Sequence, residues 1–120
     1  MTEIERTCVT GADPDAMPKV PVDGAFLADY MQADDLQGIG EALIRSRPEL
    51  EAVANAAVRY MWRRKHGETQ GKVILGKCQK MSGVNKAAAN ADYVVWVSTD
   101  IVREREMTNW QLEALVYHEL

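Results

Sequence analysis

The chain has 120 residues, 47% hydrophobic and 27% charged, with a formal net charge of −4. That length holds one core and excludes a second domain of ordinary size. No apolar run approaches the roughly 20 residues that cross a bilayer, and the acidic opening Met1-Thr2-Glu3-Ile4-Glu5 lacks the basic and apolar stretches of a secretion signal.

Residues 1–24 contain Pro14, Pro18 and Pro21 and few large apolar side chains. They bury too little surface to offset the entropy of ordering, which predicts an extended or partly disordered arm ahead of a domain over 25–120. Asp34-Asp35 followed by Leu36, Ile39, Leu43 and Ile44 predicts a short amphipathic helix. It breaks at Arg47-Pro48, since proline disfavours helical geometry in the residue before it. Ser46 and Glu49 then have capping-box spacing, with Pro48 in the first turn. Leu50, Val53, Ala54, Ala57, Val58, Met61 and Trp62 form one helical stripe, which predicts a long helix packed on a core. Arg63-Arg64-Lys65-His66 would sit at the negative end of its dipole, and Gly67 would close it.

Two strands are expected next. Lys72-Val73-Ile74-Leu75-Gly76-Lys77-Cys78 is short and β-branched, and Tyr93-Val94-Val95-Trp96-Val97-Ser98 has the strongest β-propensity in the chain. Asn85–Asn90 between them reads as a linker or a single helical turn. Thr108 and Gln111 repeat the capping-box spacing and open a last helix, with Leu112, Leu115, Val116 and Leu120 as its core face. Trp62, Trp96 and Trp110 read as packing residues. Cys78 reads as a small core residue, and His66 as a helix cap. Cys8 and Cys78 form neither a metal-type pair nor a disulfide framework, which fits a reducing interior.

The charge is segregated. Residues 1–52 carry 4 Lys/Arg against 11 Asp/Glu, residues 53–90 carry 8 against 1, and residues 91–120 carry 2 against 6. The middle block (Arg59, Arg63, Arg64, Lys65, Lys72, Lys77, Lys80, Lys86) would attract nucleic acid or an acidic partner. The simpler reading is a solvated surface neutralised by the acidic N-terminal part, because the sequence shows no interleaved aromatic pattern.

The last helix delivers His118-Glu119-Leu120. A zinc peptidase needs two imidazoles one helical turn apart on one face, with a carboxylate between them to take the proton of the attacking water. His-Glu-x-x-His meets that demand, with His118 as first ligand and Glu119 as base. The second histidine would be position 122, after the last residue given. A lone His-Glu pair is weak on its own, but its place, in a capped helix after an apolar helix and two strands, is the order of a zincin-type core.

Four segments in that order resemble the phage metallopeptidase family, related to zincin-like and SprT-like peptidases. They are Tyr60-Met61-Trp62-Arg63-Arg64-Lys65, Gly71-Lys72-Val73-Ile74-Leu75-Gly76-Lys77, Ala91-Asp92-Tyr93-Val94-Val95-Trp96-Val97 and Leu112-Glu113-Ala114-Leu115-Val116-Tyr117-His118-Glu119-Leu120. The resemblance implies an α+β, zincin-like fold with helices on a small mixed or antiparallel sheet, ending in the active-site helix. It implies a zinc-dependent peptidase of phage or prophage origin, acting on peptide or protein substrates in the bacterial cytoplasm. His118 matches the metal ligand and Glu119 the catalytic base. Val73, Ile74, Leu75, Gly76 and Lys77 are the expected substrate-binding strand, by strand addition. Without a second histidine the 120-residue chain is expected to lack zinc and activity, as a fragment or a natural truncation. The alternatives are a non-catalytic inhibitor or adaptor on a degenerate peptidase fold, or a DNA-associated protein using the basic block.

Overall fold

The computed structural model describes residues 6–120. Strand β1 (Tyr30–Gln32) leads into helix α1 (Asp34–Ser46), and a 3-10 turn (Pro48–Leu50) into the single-turn α2 (Glu51–Ala54). Strands β2 (Val58–Arg63), β3 (Gly67–Thr69), β4 (Lys72–Ile74) and β5 (Gly76–Lys80) follow. Helix α3 (Gly83–Ala89), strand β6 (Tyr93–Ser98) and helices α4 (Thr99–Glu104) and α5 (Asn109–Glu119) complete the fold. This is the expected α+β class. The larger sheet has the order β1-β2-β6-β5, with β2 and β6 parallel and the outer pairings antiparallel.

The predicted short helix, the strand over 93–98 and the capped last helix are all present. The predicted long helix is not. Its apolar stripe breaks after Ala54, and Val58–Arg63 forms the central strand β2. Val58, Tyr60 and Trp62 alternate with Arg59, Met61 and Arg63, so the segment satisfies a period of two as well as 3.6. Pairing with β6 over the whole strand, from Val58↔Tyr93 to Arg63↔Ser98, decides for the strand. Asp92 anchors its entry by accepting the Ala57 N–H at 2.8 Å. Gly67 therefore opens β3 and caps no helix, and Arg63–His66 lie at a strand end and the turn after it.

The expected strand over Lys72–Cys78 is two strands in two sheets. β4 pairs with β3 through a tight turn at Gln70 and Gly71, whose φ values of 53° and 76° are the paired positive angles of a two-residue hairpin. β5 crosses to the edge of the larger sheet beside β6. Ser98 fixes the crossing: its N–H donates to Leu75 O at 2.8 Å and its hydroxyl to Ile74 O. The turn expected near Asn85–Asn90 is α3, closed by Asn90 in the left-handed region.

One face of the sheet carries the core. Tyr60, Trp62, Val95 and Val97 pack against Leu36, Ile39 and Leu43 of α1 and Leu112 and Val116 of α5. Trp62 and Trp96 are buried as expected, whereas Trp110 is 38% exposed and lies under the Arg6 guanidinium. Residues 6–24 are mostly irregular but tied down. Cys8 is buried, Asn109 N–H donates to Ala16 O at 2.7 Å, and the Arg103 guanidinium reaches Pro21 O. Among the described residues no helix is long and apolar enough to cross a membrane.

Candidate functional site

Helix α5 starts on a full capping box. The Thr108 hydroxyl accepts the Gln111 N–H at 3.3 Å, and the Gln111 side chain accepts the Thr108 N–H at 2.9 Å. Leu112 and Val116 are buried on the core face and fix the rotation of the helix. The last turn is held from outside by Tyr117, whose hydroxyl donates to Glu49 at 2.6 Å while Arg47 lies over its ring. That hydrogen bond, foremost, holds the Glu49 carboxyl below its ordinary range.

With the rotation fixed, His118 is exposed and Glu119 half-buried. Helix α5 packs beside the edge strand β5. Burial, and after it the Glu119 charge, push the Cys78 thiol up. One turn earlier Leu115 lies over the start of β5, 3.7 Å from where a Cβ on Gly76 would stand. The same Cβ would meet Trp96 O at 3.0 Å, so a side chain there would force the neighbouring strand to give by a few tenths of an ångström. Among the described residues the outer edge of β5 has no strand partner.

Of the expected substrate strand, Gly76 and Lys77 lie on this edge, Leu75 at the crossing, and Val73 and Ile74 in the separate hairpin. The basic residues spread over several elements. Arg64 pairs with Asp29 at 3.4 Å and Lys86 with Asp92 at 3.0 Å. Arg63 stacks on two aromatic rings, while Lys65, Lys72, Lys77 and Lys80 are exposed. His66 caps no helix: Asp100 holds its Nδ1 at 2.9 Å and Glu68 its Nε2 at 3.2 Å, which occupies both nitrogens.

Sequence reasoning missed Glu113. It is buried on α5 and accepts the Val9 N–H at 2.7 Å and the Thr10 hydroxyl at 2.7 Å. A carboxylate among leucines on a core face was the available signal, because such a group must have partners. The packing of α5 beside β5 had no signal, since it depends on which edge β5 takes.

Catalytic zinc normally takes three protein ligands. Among the described residues no group of three or more His, Cys, Asp and Glu side chains is placed to hold a metal ion. His118 therefore stands as a single imidazole beside an acidic neighbour, and residues 6–120 do not by themselves fit the ion. The family model described as "Putative phage metallopeptidase" matches residues 28–120. The chain belongs to this family. No curated protein and no solved structure matches it.

Proposed function

We propose that the protein is a zinc-dependent peptidase of zincin-like type, acting on extended peptide or protein segments in the cytoplasm of the bacterial host. The observation that carries this reading is the His118-Glu119 pair at the end of α5, a helix packed beside the unpaired edge strand β5. An extended chain adding to β5 would bring its carbonyls past the end of α5. The family supplies the reaction class, hydrolysis of peptide bonds. His118 would be a metal ligand. Glu119 takes the proton of the water that attacks the carbonyl. Gly76 and Lys77, on the edge itself, are the part of the expected substrate strand best placed for this role.

The test uses the full gene product, with bound zinc measured by elemental analysis and turnover on a quenched fluorescent peptide. His118→Ala is expected to abolish stoichiometric zinc. Glu119→Gln is expected to keep zinc and to slow hydrolysis about 10²–10⁴-fold, the usual contribution of a general base. Zinc content indifferent to His118→Ala would sink the assignment.

A further inference from the structure

The helices that form the core cover one face of the larger sheet; the other face carries a different chemistry. The strand registers place Arg59 and Arg63 of β2, Tyr30 of β1, Trp96 of β6 and Lys77 of β5 together on it. None of the four strands contains an Asp or Glu. A groove of about 580 Å³ crosses this face, with Tyr30, Arg59, Met61, Gln79 and Trp96 in its lining. The Arg63 guanidinium lies 5.6 Å from the Tyr30 ring centre and 4.8 Å from that of Trp96. The two rings meet edge to face at 6.4 Å. Tyr30 is 41% exposed, a large aromatic surface left open to solvent. Trp96 is 2% exposed, and its indole N–H has no acceptor among the described residues.

We propose that this face binds single-stranded nucleic acid. Three observations select that occupant. The charges that the strands place on this face are all positive, with Asp34 and Glu41 only at its rim, so it suits a polyanion. Its cations are interleaved with flat π surfaces, and base stacking on aromatic and guanidinium planes is how single strands are held on open sheets. Arg59 and Arg63 are four residues apart on one strand, about 13 Å at about 3.3 Å per residue, which spaces two cations along a sugar-phosphate backbone. The exposed Gln79 amide supplies hydrogen bonds for base edges or phosphate oxygens. An acidic peptide would satisfy the charges but would leave the open aromatic platform unused. The sequence hid this arrangement because Tyr30, Arg63 and Trp96 come from three separate strands.

Fluorescence anisotropy of the intact chain with labelled oligo(dT) and oligo(U) of about 12 nucleotides tests the proposal. Both are expected to bind at low salt and to weaken steeply by about 200 mM salt. A same-length duplex should bind more weakly, and the tighter of the two single strands identifies DNA or RNA as the natural ligand. Arg59→Glu and Tyr30→Ala are each expected to lower affinity about tenfold, and Tyr30→Phe to retain it. Arg45→Glu, on the exposed side of α1, should change nothing. No binding at low salt, duplex binding as tight as single strand, equal competition by poly-glutamate, or indifference to Arg59→Glu and Tyr30→Ala would each overturn it.

Discussion

His66 shows how one side chain couples two elements through its charge. Its ring bridges Asp100, in the first turn of α4, and Glu68, on β3, and its backbone N–H also donates to Asp100 at 3.1 Å. The Asp100 hydrogen bond, foremost, and that of Glu68 raise its pKa above the ordinary 6.5. Burial pushes Asp100 up, but the His66 hydrogen bonds bring its carboxyl below its usual range, so both partners favour the ion pair. A raised folded-state pKa means that protonation stabilises the fold. The contribution is complete below the unfolded value and is lost as pH rises through the folded value. Thermal unfolding followed from about pH 6 to pH 8 is therefore expected to show stability falling with pH, and His66→Gln should flatten that part of the profile. An unchanged slope in the variant would remove His66 from the account. The roles proposed for His118 and Glu119 rest on two adjacent letters, since the chemistry of a zinc helix is written locally. The bridge at His66 was not legible in the sequence, because Asp100 lies 34 residues away.

At the scale of elements, α1 and β2 are matched by one small residue. Gly38 and Gly40 both lie within α1. A Cβ at Gly38 meets nothing within 4 Å, so Gly38→Ala should gain the helix preference of alanine, about 0.8–1 kcal/mol. A Cβ at Gly40 would collide with the Tyr60 hydroxyl and ring. Burial has already pushed the Tyr60 hydroxyl up to about 12, and it has no hydrogen-bond partner among the described residues. The ring has no polar contact to lose, but it sits in the core cluster, and displacing it costs about 1–3 kcal/mol. That outweighs the helix gain, so Gly40→Ala is expected to lower the denaturation midpoint while Gly38→Ala raises it. The same pair of elements shows what could be read in advance. α1 was legible because its start and its stripe agree. β2 was not, because Leu50 to Trp62 fits two periods, and only the partner strand β6 chooses between them. β1 and β3, at three residues each, are too short to carry a pattern, and α4 follows β6 without an intervening turn signal.

For the molecule as a whole, the question is how far the N-terminal residues belong to the folding unit. Every buried member of the core cluster lies between Ala33 and Val116, whereas Val9, Val20 and Phe26 are only partly buried against it. The family match also begins at residue 28. We infer that residues 25–120 form the autonomous domain and that the preceding segment is a strap across α5. Removing residues 1–24 strips Glu113 of the Val9 and Thr10 donors and of the segment that covers it, leaving water to replace them. The lost hydrogen bonds to this charged group cost about 1–3 kcal/mol. A cost near 3 kcal/mol corresponds to a fall in Tm of about 12–24 °C for a domain of this size. The truncated chain is therefore expected to unfold cooperatively at a Tm lower by about that amount. Adding Glu113→Leu to the truncation should recover little of the loss, since water solvates the uncovered carboxylate. In the intact chain the same substitution should destabilise, because there it leaves the Val9 and Thr10 donors unpaired. Calorimetry of the four proteins separates a strap from an integral part. If the truncated chain shows no cooperative transition, with or without Glu113→Leu, the first 24 residues belong to the core.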